Sequence, residues 1–170
     1  DSLRTGLARL GPHSRDLEPH ILRAFRKYAH HMGVQSDVVW HWLMLGQHHG
    51  LPTRLLDWSY SPYVALHFAT ERQEDFEHDG VVWKVDYART NQYLPDRWRE
   101  LLAQTGGHVF TTELLSQQAP DLHALEQVDG PVLIFLEPPS LDARIVNQFA
   151  LFSLLSSADA CLDDWLSTRE

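Results

Sequence analysis

The segment between residues 47 and 59 holds the densest group of side chains that could do chemistry. They are Gln47, His48, His49, Thr53, Arg54, Asp57, Trp58 and Ser59. Packing alone does not require so many functional groups in one connection between helices. Binding and catalytic groups concentrate in loops that rigid elements position. We therefore take this segment as the candidate site.

The end of this segment has the features of an anion-binding site. Ser61 followed by Pro62 is typical of a helix N-cap with proline at the first helical position, so a helix is expected to begin there. The unpaired N–H groups of a helix start attract negative charge. Because Ser59, Ser61 and Arg54 lie nearby in the sequence, the arrangement would suit a phosphate or a pyrophosphate.

Each of these residues also has a purely structural interpretation. Asp57 and Arg54 could pair with one another and fix the loop, and Trp58 could belong to the core. Of the adjacent His48 and His49, one could be packed and the other solvated. No His-Glu-x-x-His or other zinc spacing accompanies them, so no metal is expected.

The surrounding sequence predicts the elements that hold this segment. Helical spacing of apolar residues predicts an amphipathic helix over residues 19–32, with Ser14 or Asp16 upstream as a cap. A second helix over residues 37–47, buried around most of its circumference, would end at Gly50 and Pro52. Strand-like runs follow at residues 81–85, 132–136 and 149–154. This order predicts an α+β domain with N-terminal helices packed on a small mixed β-sheet.

Composition limits the class of protein. A chain of 170 residues with 44% hydrophobic residues can bury roughly two-thirds of its unfolded surface, which suits one domain. The single cysteine, Cys161, excludes an internal disulfide, and the aspartates 163 and 164 beside it are expected to raise its pKa. No window reaches the roughly 18 apolar residues of a membrane span, and no signal peptide is visible. We therefore expect a cytoplasmic protein.

The charge distribution argues against duplex DNA as a partner. The formal net charge is −9, and the first 60 residues carry seven Arg or Lys against five Asp or Glu, while the remainder carries seven against eighteen. An acidic protein is repelled by nucleic acid at long range. A small anionic ligand held by a few basic groups remains compatible with this balance.

The sequence of residues 46–59, together with residues 61–69, closely resembles the central signature of the FRG domain family. The signature reads Gly-Gln-His-His-Gly-Leu-Pro-Thr-Arg-Leu-Leu-Asp-Trp-Ser, then Ser-Pro-Tyr-Val-Ala-Leu-His-Phe-Ala. Flanking agreement comes from the start at residues 3–9, from residues 79–83, and from Arg144, Ile145 and Gln148. The resemblance implies a single FRG-like domain over residues 1–170. The Phe-Arg-Gly triplet of the family should lie just upstream of Asp1, so either the chain is trimmed at the N-terminus or this member lost the triplet.

The same stretch is similar to the middle motif of ADP-ribosyltransferases, in which a Ser-Thr-Ser-like strand precedes a helix. This more distant resemblance implies an ADP-ribosyltransferase-like fold, with a sheet that can be split, and NAD as substrate or ligand. By this resemblance Ser59 matches the middle motif and Gln148 the position of a late glutamate. Because a glutamine carries no negative charge, Asp57 is expected as the catalytic carboxylate beside them. The nucleotide would be held by Gln47, His48, Thr53, Arg54, Trp58, Ser61 and Arg144.

Three functions from different classes follow from the sequence. The first is an ADP-ribosyltransferase-like enzyme or NAD glycohydrolase, in which positioned polar groups stabilise an oxocarbenium-like transition state. The second is a non-catalytic nucleotide- or RNA-binding module that senses or docks a ligand. The third is a metal-dependent nuclease or hydrolase built on the histidines. NAD turnover separates the first from the second, and metal analysis separates the third.

Overall fold

The structure is a computed structural model that describes residues 2–29, 36–138 and 150–169. Its helices are α1 (Ser14–Tyr28), α2 (Val39–His48), α3 (Pro62–Thr70), α4 (Tyr87–Thr90), α5 (Asp96–Thr105), α6 (Thr112–Gln118), α7 (Leu122–Glu126) and α8 (Leu162–Ser167). Its strands are β1 (Leu56–Ser59), β2 (Leu133–Leu136) and β3 (Ala150–Leu155). Among these helices, none is long and apolar enough to cross a membrane.

The strands form one sheet in the order β1-β3-β2, with both neighbouring pairs antiparallel. In the register, Asp57 lies opposite Phe152 and Trp58 lies opposite Leu151. Successive side chains of a strand point to opposite faces, and the hydrophobic clusters follow that alternation. The α+β class is therefore confirmed, with the helices packed around a small sheet.

The sheet separates two hydrophobic clusters. The larger one joins Phe152 and Leu154 of β3 to residues of α1, α2, α5, α6 and α7. The smaller one joins Leu151 and Leu155, from the other face of β3, to α8 and to the indole of Trp58. Strands β2 and β3 thus contribute to both clusters, whereas β1 packs on the smaller one through Leu56 and Trp58.

The predicted N-terminal helices are present with shifted bounds. The first was predicted to begin at Pro19, but α1 begins at Ser14 and contains Pro19; its predicted end at Met32 lies outside the described residues. Neither suggested cap is used, since the N-cap is His13 and no side-chain cap bond forms. Helix α2 is confirmed as largely buried. It ends before Gly50, whose φ of 80° suits the turn that follows.

The strand predictions were right in two cases and wrong in one. The runs at residues 132–136 and 149–154 correspond to β2 and β3. The run at residues 81–85 is not a strand, because no strand among the described residues pairs with it, and Val81, Val82 and Trp83 are exposed. Without it, the ladders among the described residues are antiparallel rather than mixed, apart from a single parallel bridge between Phe110 and Leu136.

Helix α3 follows β1 after a two-residue turn and confirms the start predicted at Pro62, with Ser61 as N-cap. It lies on the surface, where Tyr63, Leu66 and Phe68 are exposed. Its contacts are mainly with β1. The position of α3 relative to the sheet is therefore set by the short connection through Tyr60 and Ser61.

Candidate functional site

A chain of hydrogen bonds leads from the backbone of the 51–55 segment to the carboxylate of Asp57. The N–H of Leu55 donates to the Thr53 hydroxyl at 3.1 Å. That hydroxyl donates to Gln47 Oε1 at 2.6 Å, and Gln47 Nε2 donates to Asp57 Oδ2 at 2.7 Å. Because Thr53 donates to the amide oxygen, the NH₂ group must point at Asp57. The end of α2 thus positions an exposed carboxylate on β1.

Asp57 and Ser59 lie on the same face of β1, since residues two apart along a strand point the same way, about 7 Å apart. This is the opposite face from Trp58. Ser59 Oγ accepts a hydrogen bond from the N–H of Ser61 at 3.0 Å, so the serine side chain also shapes the turn into α3. We call Gln47, Thr53, Asp57, Ser59 and Ser61 the β1 site.

The start of α3 supplies the second part of the β1 site. Its first amides lack a partner one turn earlier, as at every helix start, and the side chain of the N-cap residue Ser61 makes no capping hydrogen bond to them. Proline at the first position removes one N–H without cost to the helix. The structure therefore places Ser59 and Ser61 beside a helix N-terminus, as the spacing predicted, and Asp57 lies on the strand that leads to it.

Arg54 occupies a different environment from the one that a phosphate contact requires. Its side chain is 2% exposed. The guanidinium donates to Glu18 Oε2 at 2.7 Å, to Glu126 Oε1 at 2.8 Å and to the carbonyl of Ser156 at 2.8 Å. Its backbone N–H also donates to Glu18. Arg54 thus joins α1, α7 and the end of β3 to the signature segment.

The predicted pairing of Arg54 with Asp57 is therefore wrong, because Glu18 and Glu126 take the guanidinium. Burial by itself lowers the pKa of Arg54, but the two carboxylates outweigh it and raise the pKa above its ordinary value. The Arg54 cation is thus a buried anchor in an ion network. Arg15, which pairs with Glu126 from the surface, extends the same network.

Trp58 and His48 each contact another aromatic ring, and Trp58 also donates a hydrogen bond. The Trp58 indole donates to Ser153 Oγ at 2.7 Å and packs on Phe135, with ring centroids 6.0 Å apart. Trp58 is therefore half-buried against the smaller cluster, in agreement with the core interpretation. The rings of His48 and His49 meet edge to face at 5.2 Å.

Two of the predicted site residues, Arg144 and Gln148, lie outside the described residues. Metal binding has no geometric support in the described ranges, where no three His, Cys, Asp or Glu side chains cluster closely enough to hold an ion.

Cys161 has a raised pKa, first because of burial and then because its thiol donates to Asp163 at 2.7 Å. The direction expected from the neighbouring aspartates is thus confirmed.

Tyr60 is a further titratable residue at the β1 site that sequence reasoning missed. It lies between Ser59 and Ser61, and its ring meets that of Tyr87 at a centroid distance of 5.8 Å. Burial, the negative charge of Glu137 and the neighbouring Tyr87 raise the pKa of Tyr60 to about 12. The aromatic residue at the strand end was visible in the sequence, but its carboxylate partner is distant in the chain.

The Tyr60 hydroxyl is expected to ionise at a higher pH than that of an ordinary tyrosine. A raised pKa in the folded state stabilises the fold fully below the unfolded value of about 10, and this contribution is lost as the pH rises toward 12. In a pH titration followed by phenolate absorbance, wild type should show an ionisation step near pH 12 that the Tyr60→Phe variant lacks. Tyr63→Phe, on an exposed residue, is the control that should keep this step. Loss of a step near pH 10 in Tyr60→Phe would contradict the assignment.

The N-terminal part of the chain matches a known protein family. Residues 1–78 match the model of the FRG domain. The matched range contains α1, α2, β1 and α3, and so all residues of the β1 site. No curated protein and no solved structure matches the chain.

Proposed function

We propose that this chain, in which residues 1–78 belong to the FRG domain family, binds NAD at the β1 site and breaks its nicotinamide glycosidic bond. Nicotinamide would leave with the bonding electron pair. Water or an acceptor nucleophile would then add to the ribose C1′ and lose a proton, giving ADP-ribose or an ADP-ribosylated product. The observation that carries the proposal is the exposed carboxylate of Asp57, held in one orientation by Gln47 and Thr53.

Asp57 has the chemistry that such a reaction needs. Positive charge develops on the ribose as the glycosidic bond breaks, and a fixed carboxylate nearby stabilises it electrostatically. The Gln47 amide occupies one carboxylate oxygen, so the group does not need to reorganise during the reaction. Asp57 can also accept a hydrogen bond from a ribose hydroxyl, which would orient the sugar.

Ser59 and the start of α3 fit the rest of the dinucleotide. The Ser59 hydroxyl shares the face of β1 with Asp57 and can bind the ribose. The pyrophosphate would lie at the first amides of α3, where the helix dipole favours negative charge. Arg54 is buried in its own ion network and is left out of the proposed contacts.

An ADP-ribosyltransferase-like arrangement is part of the same proposal. The order of β1 followed directly by α3 agrees with the strand-then-helix order of the middle motif that the sequence resembles. Packing of α1 and α2 on one face of the sheet also supports it. The late glutamate position of those enzymes corresponds to Gln148, so Asp57 would supply the negative charge here.

NAD titration by calorimetry, with nicotinamide release followed by chromatography, tests the proposal. We expect wild type to bind and consume NAD, and Ser59→Ala to lose roughly two-fold to ten-fold in turnover, the range for one neutral hydrogen bond. Ser167→Ala, which removes an exposed serine on α8, should leave turnover unchanged. Binding without consumption would instead identify a non-catalytic nucleotide-binding module, and no binding would overturn the β1 site.

A further inference from the structure

A cleft lies beside the smaller hydrophobic cluster, on the face of the sheet that Trp58 shares and Asp57 does not. It has a volume of about 360 Å³ and is formed by the segment at residues 83–86, by α4 with the turn after it, and by α8. This volume is within the range of small-molecule sites, about 300 to 1,000 Å³. None of its lining residues belongs to the β1 site, and Trp165 on its wall belongs to the smaller cluster. The cleft is therefore separate from the β1 site.

The floor of the cleft is a rigid stack of a cation and aromatic rings. The Arg169 guanidinium lies over the Trp165 indole at 4.2 Å, and the ring of Tyr93 meets Trp165 at a centroid distance of 5.6 Å. The Tyr93 hydroxyl donates to the carbonyl of Arg169 at 3.0 Å, and the Trp165 indole donates to that of Pro131 at 2.7 Å. Such a stack needs no ordering when a ligand arrives, so binding costs less entropy.

The rim of the cleft combines positive charge with an exposed indole. Lys84, Arg89 and Arg169 face one carboxylate, Asp86, in a protein whose net charge is −9. Asp86 is already engaged, since it accepts the N–H of Arg89 as the cap of α4. Within the described ranges, neither Lys84 nor Arg89 pairs with a carboxylate. The Trp83 side chain beside them is 40% exposed.

We propose that this cleft binds a nucleoside monophosphate. The phosphate would bind to Lys84 and Arg89, because cations that pair with no carboxylate of the described residues are suited to an anion. The base would stack on Trp83 and on the edge of the Tyr93 ring, as bases do on exposed aromatic side chains. The cleft holds about one nucleotide, which favours a free mononucleotide over a longer nucleic acid.

Calorimetry with AMP and the full chain tests this site. AMP should bind more tightly than adenosine, which lacks the phosphate, and than ribose 5-phosphate, which lacks the base. Lys84→Gln, Arg89→Gln and Trp83→Leu should each weaken AMP binding by about ten-fold. Arg23→Gln, an equal loss of charge on α1 at the other face, should leave AMP binding unchanged.

Three results would overturn the proposal. One is the absence of AMP binding, and another is equal AMP affinity in wild type and all three cleft variants. The third is binding of a short single-stranded RNA much more tightly than AMP with the same losses in the variants, which would make nucleic acid the ligand. The cleft variants should keep NAD consumption at the β1 site, while Asp57→Asn should keep AMP binding. The proposals for the two sites can therefore be contradicted separately.

Discussion

Replacing Arg54 with methionine is expected to lower the free energy of unfolding by about 3 to 5 kcal/mol. The reason is that Glu18, whose side chain is 2% exposed, loses the cation that offsets its burial. Methionine fills a similar volume, so the loss measures charge more than packing. Urea denaturation followed by circular dichroism gives the difference.

Two further variants separate this ion network from ordinary surface pairs. Arg15→Met removes a partner of Glu126 that is 51% exposed, and should cost at most about 1 kcal/mol. Arg54→Met combined with Glu18→Gln should recover part of the stability, because no unpaired buried charge remains. An Arg54→Met protein that is as stable as wild type but binds NAD at least ten-fold more weakly would restore Arg54 to the ligand site.

Local sequence signals were sufficient where an element depends on its own residues. Ser61 and Pro62 marked the start of α3 because capping and the fixed φ of proline act within one turn. The apolar runs of β2 and β3 identified strands because almost all of their residues are buried. The position of Ser59 and Ser61 beside a helix start followed from these local signals.

Other features depend on partners that local patterns do not reveal. Glu18 and Glu126 lie 36 and 72 residues from Arg54 in the chain, so spacing favoured the nearer Asp57 as a partner. Strand β1 has only four residues and is a strand because it pairs with β3. The local sequence pattern predicted a loop there, and only the family resemblance implied a strand. Residues 81–85 had strand composition, but no strand in the part of the chain that the structure describes pairs with them.

The ion network and the β1 site share one short segment. Thr53 and Arg54 are adjacent and both fully or almost fully buried, yet Thr53 orients Gln47 toward Asp57 while Arg54 ties the segment to α1 and α7. Anchoring by Arg54 therefore fixes the start of the hydrogen-bond chain that ends at the exposed carboxylate. Loss of the anchor should impair function only through folding, which is what distinguishes it from loss of Asp57.

Asp57→Asn is expected to reduce NAD consumption by on the order of a hundred-fold or more, the size of effect seen when one positioned electrostatic group is removed. The variant keeps an oxygen that can accept the Gln47 amide, and residue 57 is exposed. The melting temperature should therefore remain close to that of wild type. Both quantities are to be measured on the same preparations, with Asp79→Asn, a neutralised aspartate outside the site, as the matched control.

Gln47→Leu tests whether the orientation of Asp57 matters as well as its charge. Without the amide, the carboxylate remains but loses the hydrogen bond that orients its Oδ2, so kcat should fall by about ten-fold while KM changes little, because the contact acts in the transition state rather than on binding. A purely structural role for Gln47 would lower activity only in step with the folded fraction. If Asp57→Asn lowers the melting temperature and leaves activity per folded molecule unchanged, Asp57 braces the loop, and the carboxylate has no part in the reaction.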